Sequence, residues 1–498
     1  MNRIPVTASP DTARPPICAP LLLLIAAALL SIGGCAPVGP DYAPPPIGAP
    51  DAWHARGGEG LDAGRPDPKT LADWWTGLGD PALSALIARA AVGSPDVREA
   101  QARVREARAR RGLSKAALFP TLDAGGSALS VRTSANSGEG AEHRLFAAGF
   151  DAGWELDVFG GVRRSVEAAE ADLAASREDL RDVTVTLLGE VGLNYVDVRT
   201  FQARLAAAEK NIAVQEKTLE LVRSRFEAGL SDELAVEQAI YGLEEARSQP
   251  PALRAGLDAA RNRLAVLLGD PPGAVHEELS APGPIPVPPP AVAVGVPADA
   301  LRNRPDVRRA ERLLAAQTAR IGAAVADLYP RFRLWGSIGL ESISEGRLFE
   351  KASRRWNLGP SISWNLFDAG AIRRNIEVQS ALQEQHLARY EAAVLAALEE
   401  AENAMVAYAE EHLRRESLAA AAEAARRAAL LARERFAAGL VDFTSVLDAE
   451  RSLLSLEDGL ARSEGAVAST LVRLYKALGG GWAPLAEEAA RPGHPRGG

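Results

Sequence analysis

Two cysteines and six histidines are the side chains of this 498-residue chain best suited to act as nucleophiles or metal ligands. One of them stands in a pattern that invites chemistry: Cys35 closes the run Ser31-Ile32-Gly33-Gly34-Cys35. Small residues before a cysteine leave a peptidase room to cut, and the thiol of the new N-terminal residue can then be diacylated. The run resembles a bacterial lipobox, with Ile32 where leucine is more usual; an ordinary secretory signal with a chance cysteine is the alternative. His54, His143, His276, His386, His412 and His494 lack the spacing of metal ligands. There is no Gly-x-Ser-x-Gly elbow and no phosphate loop, and the glycines of Arg56-Gly57-Gly58-Glu59-Gly60 precede no strand–helix unit. The chain therefore presents no catalytic constellation, no metal site and no cofactor site, and it reads as a non-enzyme.

The segment ahead of Cys35 fits that chemistry. Arg3 and Arg14 precede an apolar stretch, Leu21 to Leu30, too short to span a bilayer as a finished helix, so residues 1–34 read as a lipoprotein signal peptide. Cys18 leaves with it. The mature chain then keeps Cys35 alone, acylated, and forms no disulfide. Ala36 follows where an aspartate would resemble an inner-membrane retention signal, which favours the outer membrane. Formal charge is −9, and loss of Arg3, Asp11 and Arg14 removes +1 to leave −10, a balance that argues against nucleic acid as a partner. No other apolar run approaches the ~20 residues of a transmembrane helix. A membrane crossing would have to be a β-barrel.

The elements that must carry such a barrel are present twice. Pro95-Asp96-Val97-Arg98 returns as Pro305-Asp306-Val307-Arg308, an offset of 210 residues (305 minus 95), and the same offset carries Pro120 to Pro330, Trp154 to Trp364, Gly229 to Gly439 and Gly269 to Gly479. A constant spacing over so many segments means duplication of a whole structural unit. The expected organisation is 1–34 signal, 35–94 lipid-anchored segment with an equatorial helix, 95–269 first repeat, 270–304 Pro-rich linker or equatorial region, 305–479 second repeat and 480–498 tail. The tail is expected to be disordered.

Each copy opens with alternating strands. Phe146, Ala148, Phe150, Ala152, Trp154 and Leu156 alternate with small or polar residues, as do Trp356 to Leu366 and the stretch from Phe332 to Leu340, while the stretch from Thr121 loses phase between Ala128 and Leu129. Period two with one apolar face fits a barrel with lipid outside and water inside; a soluble sandwich face fits the same strands. The tryptophans suit an interfacial belt. Four strands cannot close a barrel, so several chains must contribute to one pore.

The remainder reads as long helix. A seam of Phe201, Leu205, Ala208, Ile212, Gln215, Leu219, Val222 and Phe226 steps by four and three, and Leu418, Ala422, Ala425, Ala429, Ala432 and Phe436 form its alanine-rich counterpart. A helix from near Val162 to Phe226 spans roughly 100 Å at ~1.5 Å per residue. Gly229 and Gly439 are placed to end the outgoing helices, Asp232 and Asp442 to cap the returning ones.

With these residues in hand, the chain resembles the TolC-like outer-membrane factors, in particular the outer-membrane lipoproteins of resistance–nodulation–division efflux systems, of the NodT and OprM type. The resemblance rests on Cys35 to Tyr42, Asp73-Trp74-Trp75, Asp80-Pro81-Ala82-Leu83, the run from Arg304 to Phe332 and the two hairpin tips. It implies an α+β membrane protein: an internally duplicated homotrimer whose twelve strands form one outer-membrane β-barrel, continued by a long periplasmic α-helical barrel. It also implies a passive exit duct working with a periplasmic adaptor and an inner-membrane pump of that class. Family tips dock on the adaptor, at positions that are here Arg225, Phe226, Gly229, Leu230, Arg435, Phe436, Gly439 and Leu440. For each the alternative is structural: the glycines end helices, the aromatics close the coil, the arginines are solvated.

The family's periplasmic constriction is often an aspartate in a segment similar to Val446-Leu447-Asp448-Ala449, which places it at Asp448, with Thr444 one turn earlier. Asp442 has a twin in Asp232, whereas Asp448 and Thr444 correspond to Gln238 and Leu234. An asymmetric acidic position suits a gate. Two positions depart from the family pattern: Thr444 is polar where a bulkier apolar residue is common, and Ala235 stands where many relatives carry aspartate. A lipid-anchored periplasmic coiled-coil adaptor or scaffold is the alternative reading; one hairpin without strand pairs would mark it.

Overall fold

The computed structural model describes residues 37–481 except 47, 56, 57, 133, 137–139 and 141. Cys35, the signal segment and the tail from Trp482 lie outside the described residues. The chain forms two compact units, and each draws on both sequence repeats.

One unit holds a four-stranded antiparallel sheet in chain order, β1 (Thr121–Arg132), β2 (Glu142–Leu156), β3 (Arg331–Ser342) and β4 (Arg354–Ser363). Register pairs even residues with even: Leu122 with Ala152, Phe150 with Ile338, Ile338 with Trp356. Because side chains alternate, one face gathers Leu122, Phe150, Trp154, Ile338, Trp356, Leu358 and Ile362, all exposed in the single chain. The other face carries Asp123, Asp151, Glu155, Arg333, Ser337 and Asn357. Leu129, Val131 and Trp335 fall on this polar face, which accounts for the lost phase of β1. β4 ends at Ser363, short of Trp364 and Leu366. Where β2 meets β3, Gly149 faces Gly339, and a Cβ on either would come within 2.7 or 2.6 Å of the opposing carbonyl oxygens of Ile338 and Ala148. The duplication is visible here in one bond made twice: Trp154 Nε1 donates to Leu118 O and Trp364 Nε1 to Leu328 O, each at 3.0 Å.

The segment just after Cys35 is fixed to this unit. Buried Arg164 donates to Val38 O at 3.1 Å and Gly39 O at 3.3 Å and pairs with Asp41 at 2.7 Å. Its twin Arg374 has no such segment to hold and lies exposed beside Glu377.

The longer helices are α1 (Pro81–Gly93), α2 (Pro95–Ala116), α3 (Gly161–Glu227), α4 (Glu233–Arg247), α5 (Gln249–Leu268), α6 (Pro305–Ala326), α7 (Ala371–Ala437) and α8 (Phe443–Ala477). α2 and α6 begin and end 210 residues apart, as do α3 and α7, each of the latter 67 residues long. α4 and α5 together answer α8. They part at Ser248 because Pro250 and Pro251 remove two amide donors that Leu460 and Ala461 keep. None of the described helices is long and apolar enough to cross a membrane.

The second unit is built on these helices. Leu83, Leu86, Leu188, Val191, Leu264, Leu471 and Leu474 lie in its core, with Trp74 edge-on to Trp75 and stacked on Tyr475. Asp80 caps α1 by accepting from Ala82 N and Leu83 N, Pro81 fills the first helical position, and Tyr195 Oη donates to the same carboxylate at 2.6 Å. The Pro-rich stretch between the repeats is packed against the second unit's core. Val275, Leu279, Val292 and Val294 are buried, Leu61–Asp62 pairs in parallel with Val292–Ala293, and Arg199 and Gln202 donate to Ala281 O and Leu279 O. Its valines and leucine bury apolar area that a free linker would leave in water.

Candidate functional site

The helical hairpins turn over in the same way in both copies. Leu230 N bonds Arg225 O at 2.8 Å and Gly229 N bonds Phe226 O at 2.9 Å, with Gly229 at φ +69°; Leu440 N to Arg435 O and Gly439 N to Phe436 O repeat this at 2.9 Å, with Gly439 at φ +75°. This is a left-handed glycine cap that satisfies the last carbonyls of α3 and α7. Asp232 Oδ1 accepts from Ala235 N at 2.9 Å, and Asp442 Oδ1 accepts from Ser445 N at 3.1 Å and Ser445 Oγ at 2.8 Å. Those bonds hold the Asp442 carboxyl below the usual carboxylate range.

Identical backbones carry different side-chain environments. Phe226 is 44% exposed, whereas Phe436 is 5% exposed and edge-on to Phe443. Arg225 leans across to the second tip: its guanidinium lies 4.9 Å from the Phe436 ring centre, and Nη1 donates to Ala437 O at 2.8 Å. Arg435 is exposed, as are Leu230 and Leu440. Arg225 and Phe436 therefore tie the two tips together, and Phe226, Leu230, Arg435 and Leu440 face outward. The joint rests on Leu219, Val222, Ala239, Leu243, Phe443, Val446 and Leu447.

Asp448 and Thr444 are both exposed, one turn apart on α8, while Phe443, Val446 and Leu447 point into the joint. One turn beyond Asp448, Arg451 pairs with Glu245 at 2.9 Å and lies over the ring of Tyr241. A polar groove of about 730 Å³ runs alongside, lined by Arg204, Gln215, Glu245, Arg451, Asp458 and Arg462. Its charges are largely spent on one another: Asp458 pairs with Arg204 at 2.7 Å and also contacts Arg462. Nothing in it pairs a nucleophile with a base.

One charged residue was not anticipated. Glu450, 4% exposed, lies inside the hairpin pair where its twin is Ile240; Thr218 Oγ1 donates to it at 2.9 Å, and Arg433 Nη1 stands 3.9 Å away. Burial pushes its carboxyl above the usual range, against the partial opposition of Thr218 and Arg433. The signal was available, since Phe443, Val446, Leu447 and Glu450 step by three and four along the inward face.

Among the described residues no group of three or more histidine, cysteine, aspartate or glutamate side chains is placed to hold a metal ion. His412 packs edge-on to Tyr408 and His276 stands 3.6 Å from Asp258.

The sequence matches the family described as Outer membrane efflux protein over residues 86–270 and again over 296–480. Nodulation protein T of Rhizobium leguminosarum bv. trifolii is 31% identical over 464 residues, covering 92% of this chain and 97% of that protein. The solvent efflux pump outer membrane protein SrpC of Pseudomonas putida is 32% identical over 470 residues, covering 91% and 97%. Among solved structures, the outer-membrane channel OprN matches with a TM-score of 0.85 at 37% identity, over 89% of this chain and 99% of that one.

Proposed function

This chain belongs to the outer membrane efflux protein family and is a non-enzymatic outer-membrane channel of an efflux pump system, and on that premise we propose that it works as a homotrimer anchored through Cys35. The sheet carries the reading. β1 and β4 are its two edges, one face is apolar over most of its length, and closure needs about eight strands or more. Three copies supply twelve strands in continuous antiparallel order, with each β4 edge meeting the next copy's β1. Native mass spectrometry in detergent should give the mass of three chains. A stable monomer that conducts in a planar bilayer would contradict the reading.

In this reading each sequence repeat, 95–269 and 305–479, supplies one strand pair and one helical hairpin, and the hairpins of three copies make the periplasmic tunnel. The tips meet a periplasmic adaptor that joins the channel to an inner-membrane pump of the resistance–nodulation–division class. Exposed Phe226, Leu230, Arg435, Leu440 and the turn glycines Gly229 and Gly439 supply the contact, and Arg225 and Phe436 keep the tips in register. Cys35 carries the acyl chains, and Val38 to Asp41, which follow it in sequence, are held to the sheet unit by Arg164. Mass spectrometry of the purified protein should find the diacyl group on Cys35, and a free thiol there would remove the anchor.

Asp448, with Thr444 beside it, lines the closed periplasmic mouth. Three-fold symmetry brings like charges together, which makes the mouth attract cations. Asp448→Ala should raise single-channel conductance or weaken cation block. Asp442→Ala should leave both unchanged and lower thermal stability slightly, because it deletes only a cap. Equal conductance and block in wild type and Asp448→Ala would take Asp448 out of the gate.

A further inference from the structure

The apolar face of the sheet ends in arginine. Arg132 is the last residue of β1, Arg144 the third of β2 and Arg354 the first of β4, so all three lie at the strand ends away from the long helices. Their even positions place them on the same face as Leu122, Phe150, Ile338 and Trp356.

Their depth follows from counting. On β2 that face is apolar or alanine from Leu156 to Phe146, about ten residues; at ~3.3 Å per residue and a tilt of ~40° this covers about 25 Å, the height of an outer-membrane apolar band. Arg144 is the next residue of the face beyond it. Arg132 stands the same ten residues from Leu122, and Arg354 is the next residue of the face beyond Trp356. Charge on the lipid side is costly at mid-depth and tolerated near the interface.

The two faces also treat arginine differently. On the polar face Arg333 pairs with Glu155 at 3.6 Å and Arg355 with Glu341 at 3.1 Å. On the apolar face, among the described residues, Arg132, Arg144 and Arg354 have no carboxylate within 4 Å. The nearest acidic residue in register is Glu142, opposite Arg132, and its carboxylate accepts from Ser130 Oγ at 3.2 Å. Three guanidiniums against one carboxylate leave a positive rim at headgroup level.

We infer that Arg132, Arg144 and Arg354 form a recognition row for the phosphate groups of outer-leaflet lipid. A guanidinium presents two parallel N–H donors to a phosphate, a fit that a purely apolar rim lacks. The inference rests on the reading that this face meets lipid.

The test is native mass spectrometry of the full-length channel in detergent with diphosphoryl lipid A as the probe. The R132Q/R144Q/R354Q variant should bind it about tenfold more weakly, and R333Q/R355Q should bind it as wild type does. Monophosphoryl lipid A should bind wild type less tightly than the diphosphoryl form. Should the triple variant not insert, R144Q alone should still show a loss of about threefold. Unchanged lipid binding in variants that insert normally overturns the inference. Inorganic phosphate held as tightly as the lipid also overturns it, since the row would then serve a soluble anion. Failure of the wild-type protein to enter the outer membrane would instead sink the channel reading itself.

Discussion

Arg304→Ala should destabilise each chain by about 2–3 kcal/mol, because it removes a buried guanidinium and leaves the half-buried Asp306 carboxylate without its charged donor. Arg304 is 8% exposed and makes a two-toothed contact with Asp306, Nε at 3.0 Å and Nη2 at 2.7 Å. The same side chain donates to Ala477 O at 3.0 Å and pairs with Glu400 at 2.7 Å, so one guanidinium joins the start of α6, the middle of α7 and the end of α8. Burial works against the charge of Arg304, and Asp306 and Glu400 outweigh it, raising its affinity for the proton. Burial likewise raises the Asp306 carboxyl, but Arg304 and backbone N–H groups outweigh it and hold it below the usual range. A depressed carboxyl contributes stability above its unfolded value, near 4, that is lost as pH falls through the folded value. Arg304→Ala should therefore flatten the acid limb of the stability curve as well as lower it. Arg304→Lys should recover only part, since an ammonium cannot make the two-toothed contact. Melting of the full-length protein in detergent from pH 3 to 8 reads both effects; a wild-type melting point in Arg304→Ala would show that the cluster carries little.

How far the sequence announced this depends on whether a feature is local or repeated. The strand pairs, the two 67-residue helices, the glycine turns and the aspartate caps follow from a spacing that duplication preserved. The break at Ser248 was visible in Pro250 and Pro251, yet two prolines at the start of a helix also fit an unbroken arrangement, so their effect needed the backbone. The packing of the inter-repeat stretch was hidden by its prolines, which look like a linker although Val275 and Leu279 are buried. Features joining distant residues were illegible. Arg164 and Arg374 are twins in sequence, and only the docking of residues 37–41 makes one a buried clamp. Phe226 and Phe436 sit in nearly identical tips, and Phe436 alone is covered, by Phe443 and the Arg225 guanidinium. Local sequence sets each turn; the partner element sets its exposure.

Glu450→Gln should have the opposite sign from Arg304→Ala, stabilising the hairpin pair modestly at neutral pH because it removes a buried charge that is weakly paired. Both wild-type residues are buried and charged, and partner geometry separates them. Arg304 has two carboxylates and a carbonyl within 3.0 Å, whereas Glu450 has one hydroxyl at 2.9 Å and a guanidinium no closer than 3.9 Å. Coulomb attraction at that separation does not offset the loss of hydration, which is why burial leads the upward shift of its carboxyl. Glutamine keeps an oxygen for Thr218 and removes the buried charge. The pH dependence follows from the sign: the folded state holds the Glu450 proton more tightly than the unfolded chain, so ionisation costs wild type most above the raised value. That cost disappears below the ordinary glutamate value of about 4.3. The advantage of Glu450→Gln should thus be largest at neutral pH and shrink as pH falls through that window. A variant less stable than wild type at pH 7 would mean that Arg433 and Glu450 hold the hairpins as a true ion pair, and the tips would then be joined by charge rather than by the apolar seam of Phe436, Phe443 and Val446.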